Sequence, residues 1–164
     1  ASVLNAYLGG GMTSRLYQSL REKHSLCYSV YSGYYPFENS GCFSIYVGAE
    51  AGKIEKAIRL ILQEVKKVYD RPIPQSWVKK YIEQITSRML LNYDDIDSRM
   101  NQIIVDHFLG RKFFNLKQHL EELNKVSPNS VLEYVRYYFQ PDSFGLSLIG
   151  DLSEKQCDKI RKLV

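Results

Sequence analysis

Arg21 and Tyr28 stand seven residues apart, in the stretch LREKHSLCY, where a charged helical end runs into a tyrosine-rich segment. A guanidinium and a phenol held side by side can hydrogen-bond a carbonyl or carboxylate and stabilise an oxyanion. The same two residues also have a structural reading, in which Arg21 offers a cation to the C-terminal end of its helix and Tyr28 packs in a sheet. Spacing alone leaves both readings open.

Other combinations carry less chemistry. GGGMTSR, residues 9–15, has the glycines of a phosphate loop but lacks the GK[ST] ending whose lysine reaches the phosphates. The glycines are therefore expected to allow a sharp bend or a close approach to another surface. HLEEL, residues 119–123, has the start of an HxxEH zinc motif, but Leu123 stands where the second histidine is needed, so no metal site is expected at His119. His24 and His107 are isolated, and no cofactor-binding or metal-ligating set is expected on this chain.

The elements that must position the pair follow from periodicity. Phe43, Ile45, Val47 and Ala49 alternate with Cys42, Ser44, Tyr46 and Gly48, the pattern of a half-buried strand. LCYSVYSGYY reads as a strand before it and PFENSG as the turn between, giving an antiparallel hairpin. SFGLSLIG, residues 143–150, reads as a third strand. Between them the period becomes helical. Ile54, Ala57, Ile58, Ile61, Leu62, Val65 and Val68 form one apolar stripe, which DRPIP ends. A second helix begins near Gln75 with Val78, Tyr81, Ile82, Ile85 and Met89 on one face. Asp94 or Asp95 caps a third, which ends at Gly110. NLKQHLEELNKV is a shorter helix, Ser127 and Pro128 begin another, and Ser153 caps a last one. Strands in blocks rather than in strict βα alternation indicate an α+β fold, an antiparallel or mixed sheet with helices on one face.

Composition bounds the rest. A chain of 164 residues suits a single domain over 1–164, and 45% hydrophobic with 24% charged residues is globular composition. Thirteen tyrosines can line the outer edge of a core or form a peptide-binding surface. The formal charge of +4 is small and scattered, which argues against a nucleic-acid partner. Cys27, Cys42 and Cys157 are odd in number without paired CxxC spacing, which fits a reducing compartment, with the cytoplasm favoured. No apolar run is long enough for a membrane span. Both ends read as interior sequence, so the chain is expected to be a piece of something longer, lacking one or two first strands.

The stretch YLGGGMTSRLYQSLREKHSLCYSVYSGYYPFENSGCFSIYVGAE resembles the C-terminal, non-zinc domain of the insulinase, pitrilysin and mitochondrial processing peptidase family, peptidase family M16. A glycine-rich turn, an SRL helix, LRE and a tyrosine opening a strand carry the likeness, and residues 107–153 resemble the family's helical return and closing strand. The resemblance implies a two-domain clamshell. One domain or subunit holds zinc on HxxEH, and the second, of the same fold, supplies an arginine and a tyrosine that help bind the peptide or stabilise its oxyanion. On this chain those are Arg21 and Tyr28, the zinc belongs to a partner domain, the substrates are peptides, and the chain by itself is inactive. The alternative is a structural or partner subunit that keeps the fold without the chemistry. His24 and Ser25 depart from a linker that commonly carries glycine, and Cys27 stands where glycine or alanine is usual.

Overall fold

The structure, a computed structural model, describes residues 1–37, 40–110 and 114–163. Helix α1, Ser2–Leu8, leads through the glycine-rich loop to a helix that widens into a π-helix over Tyr17–Lys23. Strands β1, Ser29–Pro36, and β2, Gly41–Gly48, follow, then helices α2 (Ile54–Asp70), α3 (Gln75–Tyr93), α4 (Ile96–Phe108), α5 (Leu116–Asn124), α6 (Pro128–Tyr138) and α7 (Glu154–Arg161). The fold is α+β.

The hairpin is antiparallel, with Tyr31 opposite Tyr46 and Val30 opposite Val47. Its inner face presents Val30 and Ser32 from β1, and Phe43, Ile45 and Val47 from β2, to a core built by Leu4 and Leu8 of α1, Val65 and Val68 of α2, Val78 and Tyr81 of α3, and Val135 of α6. The alternation expected of β2 and the stripe expected of α2 are both present. Glu38 and Asn39, at the centre of the expected turn, lie outside the described residues.

Caps set the helix boundaries as expected. The Asp95 carboxylate accepts from the Ser98 amide at 3.0 Å, and Ser127 Oγ accepts from the Ser130 amide at 3.2 Å with Pro128 at the first helical position. Gly110 follows α4 with φ +60°, the left-handed turn that glycine adopts without steric cost.

The third strand expected over 143–150 does not form. Among the described residues the sheet has two strands, and Phe144–Ile149 runs without a ladder. Leu148 packs on Ile54, Ile58 and Ile160, while Ile149 is fully exposed. Apolar alternation makes a segment fit to be a strand, but a strand also needs a neighbour to pair with, and that is a non-local condition.

The glycine-rich loop works by close approach, as expected. The Ser32 amide donates to the Gly9 carbonyl at 3.2 Å, and Ser32 Oγ donates to the Asn5 carboxamide oxygen at 2.7 Å. A Cβ on Gly9 would stand 2.4 Å from the Ser32 nitrogen, so backbone would have to move to admit one. Beyond the loop, the buried Tyr81 hydroxyl donates to the Thr13 carbonyl at 3.1 Å. Buried Glu64 of α2 accepts from Arg15 Nε at 3.1 Å and from Lys67 Nζ at 2.6 Å, tying the helical residues just ahead of the π-helix to α2.

Two stability predictions follow from this geometry. Gly9→Ala forces β1 away from α1 and is expected to destabilise by about 1–3 kcal/mol, whereas Gly52→Ala, with open space around its Cβ, is expected to be near neutral; denaturant titration of the two variants separates them. Ser25 sits at φ +48°, a left-handed conformation that L side chains adopt at a cost. Ser25→Gly relieves that cost and is expected to raise the melting temperature by about 1–4 °C, read by calorimetry; a lower melting temperature would show that the serine is unstrained.

Candidate functional site

The segment that carries Arg21 is anchored by its apolar side. Leu16 and Leu20 are fully buried, each contributing about 1.5–3 kcal/mol of transfer free energy. With those two inside, Arg21, Glu22 and Lys23 emerge on the solvent side. The π-helical winding is local and sits beside the pocket, where such insertions are often found in proteins. It ends abruptly. The Ser25 amide donates to the Arg21 carbonyl at 3.1 Å and the Leu26 amide to the Leu20 carbonyl at 2.9 Å, so the left-handed turn at Ser25 reverses the chain and buries Leu26 and Cys27.

The chain then enters the sheet at Tyr28, whose amide donates to the Gly48 carbonyl at 3.0 Å. This bond fixes the backbone of Tyr28 at the mouth of the hairpin, and the residue is 63% exposed. The phenol does not pack into the sheet.

Arg21 and Tyr28 line one open pocket of about 340 Å³, whose wall also includes Cys27, Ser25, Glu50 and Lys53. The Arg21 guanidinium lies 5.0 Å from the centre of the Tyr17 ring, an orienting cation–π contact. Lys53 is paired with Glu50 at 3.1 Å. Among the described residues no carboxylate stands within ion-pair distance of Arg21, which leaves that guanidinium available to an incoming acceptor. Burial pushes the Cys27 thiol up, with the neighbouring Arg21 pulling part of the shift back. Cys27 is therefore held as the thiol, the form that is a poor nucleophile, and serves as pocket wall.

What the arrangement can do is hold and polarise an acceptor oxygen. Among the described residues no group of three or more His, Cys, Asp or Glu side chains could hold a metal ion, so these residues do not fit a zinc centre. His119 instead contacts Gln102 at 2.9 Å through Nε2 and meets the Phe114 ring edge-on. His24 Nδ1 lies 2.8 Å from the Ser19 carbonyl, beside the pocket but turned to the backbone. Among the described residues no helix is long and apolar enough to cross a membrane.

Arg21 and Tyr28, singled out in the sequence by residue type and spacing, line one pocket. Lys53 and Glu50 escaped that reading because they join the pocket from beyond β2, at a separation no local pattern reveals. Buried Glu64 also escaped, since a glutamate on an amphipathic helix normally reads as solvent-facing; Arg15, far away in sequence, is the partner that makes its burial tolerable.

The peptidase M16 inactive domain model matches residues 1–85. An uncharacterized zinc protease of Streptomyces coelicolor is 30% identical over 166 residues, covering 99% of this chain and 35% of the relative. The uncharacterized zinc protease YmxG of Bacillus subtilis is 32% identical over 148 residues, covering 90% of this chain and 36% of the relative. The chain thus spans about a third of the length of these curated relatives. The crystal structure of a peptidase M16 inactive domain from Pseudomonas fluorescens superimposes with a TM-score of 0.74 at 21% identity, covering 83% of this chain and 32% of that one, which is a likeness of fold. With the glycine loop, the hairpin and the pocket all inside the matched residues, the chain belongs to the peptidase M16 inactive domain family.

Proposed function

We propose that this chain is the substrate-clamping half of a zinc metalloendopeptidase, supplying Arg21 and Tyr28 to an active site whose metal is held on another domain or subunit. The observation that carries the reading is the pocket: an unpaired guanidinium and an exposed phenol line the same open cavity, each fixed at its backbone by a buried neighbour or a sheet hydrogen bond. The zinc-protease names of its relatives, together with the lack of a ligand cluster among the described residues, support a division of labour between two halves.

Within that division, Arg21 forks onto a carbonyl or carboxylate of a bound peptide, because its planar donors match two acceptor lone pairs at once. Tyr28 donates its O–H to the carbonyl oxygen of the bond to be cut, where negative charge accumulates. The catalytic metal supplies the activation of water, and the residues of this chain orient the peptide against it. The substrates are peptides or small unfolded proteins able to enter an enclosed chamber.

The test is a pair of substitutions in the complete natural protein. Tyr28→Phe removes one donor and is expected to lower turnover by roughly ten- to a thousand-fold. The melting temperature should hardly move, because the phenol is exposed. Arg21→Lys keeps the charge and loses the fork, so it should raise KM more than it lowers kcat. Unchanged kinetics on a quenched fluorescent peptide library for both variants would overturn the role of the pair and favour a subunit that keeps the fold without chemistry.

A further inference from the structure

The outer face of the hairpin, away from the core, is aromatic and uncharged. Tyr31 and Tyr46 stand opposite each other in register and stack at 4.9 Å between ring centres with their planes 22° apart. Both are half exposed, as is Tyr35 further along β1. Two glycines share this face and make room for the rings. The Tyr46 hydroxyl lies 3.4 Å from where a Cβ on Gly48 would stand, and the Tyr35 hydroxyl 3.2 Å from the corresponding point on Gly33. The Tyr46 and Tyr35 rings therefore lean along their own strands over the glycines, and with Tyr31 stacked on Tyr46 they make an exposed aromatic shelf.

The shelf begins where the pocket ends. Gly48, which Tyr46 covers, is the residue whose carbonyl accepts from the Tyr28 amide. Passing outward from Arg21 and Tyr28, a ligand would meet the Tyr46–Tyr31 stack and then Tyr35.

Resting on the reading of this chain as a peptide clamp, we propose that the shelf takes an aromatic side chain of the same extended peptide that Arg21 and Tyr28 hold. An extended peptide advances about 3.4 Å per residue and turns alternate side chains to one face, about 7 Å apart, which is also the spacing of successive outward positions on a strand. Ring against ring then gives a preference for aromatic residues without a closed pocket. A single-stranded nucleic acid also stacks on aromatic rings, but its phosphates need a cationic track. Here the outward positions of both strands are uncharged, and at the pocket end Arg21 and Lys53 are matched by Glu22 and Glu50.

The experiment measures binding apart from catalysis. Fluorescein-labelled decapeptides of alanine, serine and glycine, with one phenylalanine stepped along the chain, are titrated by fluorescence anisotropy into the complete natural protein after its metal has been removed by chelator. At the position that reaches the shelf, phenylalanine is expected to tighten binding about three- to tenfold over the peptide without it. The double variant Tyr31→Thr/Tyr46→Thr, which keeps strand-forming residues, should lose that gain, and Tyr31→Phe/Tyr46→Phe should keep it because stacking needs only the ring. No gain in the unmodified protein, or a gain that survives the threonine pair, overturns the proposal. If a second copy of the chain covers the shelf instead, the threonine pair converts dimer to monomer in sedimentation and leaves peptide discrimination as it was, which also overturns it. Loss of discrimination in the threonine pair with unchanged kinetics in both Tyr28→Phe and Arg21→Lys would leave the shelf standing and remove the catalytic reading.

Discussion

The approach of Gly9 to Ser32 is the contact on which the pocket depends. With no Cβ between them, the end of α1 reaches β1 closely enough for its carbonyl to accept from the strand amide, and the hydroxyl of the same serine reaches back to Asn5. That contact sets the distance between α1 and the hairpin. The loop it starts is then held at its far end by Tyr81, and the helix after it by Glu64, so the segment bearing Arg21 is fixed at several points before it reaches the pocket. A larger residue at position 9 would disturb the pocket from a place outside its lining.

The pocket is assembled from order rather than from reactive groups. Leu16 and Leu20 turn Arg21 outward, the left-handed Ser25 reverses the chain, and one hydrogen bond to Gly48 places Tyr28 at the opening of the sheet. Each of these is a backbone or packing constraint, and together they present two donors on a rigid frame. In the proposed role, donors held on such a frame would meet developing charge with little reorganisation. The exposed Tyr28 contributes little to stability, so it is free to be specified by function.

Much of this was legible in the residues themselves. The alternation through Phe43, Ile45 and Val47, the stripe of α2, the caps at Asp95 and Ser127 and the close-approach glycine are local signals, and each element they imply is present. What escaped was non-local. SFGLSLIG has a strand's alternation but among the described residues gains no partner, and Glu64 has a surface residue's chemistry but is buried because Arg15 meets it across the fold. The π-helix left no mark in the apolar pattern, since Leu16 and Leu20 are spaced as in an ordinary helix. Tyr28 could be read as a sheet residue or a ligand donor, and only its position one residue before the first ladder pair leaves the ring free. The glycines that seat Tyr35 and Tyr46 were visible as letters, but their use became clear only with the strand register.

The most direct measurement is a structure of the complete natural protein with zinc and a non-cleavable phosphinic peptide bound, read for the distances from the Tyr28 hydroxyl and the Arg21 guanidinium to the ligand. The proposed role predicts the Tyr28 hydroxyl within hydrogen-bond distance, about 2.7–3.1 Å, of the phosphinate oxygen that replaces the scissile carbonyl, and Arg21 on a neighbouring peptide oxygen. A bound peptide with both side chains still turned to solvent would contradict it, and would return the pair to the surface of a domain that serves its fold alone.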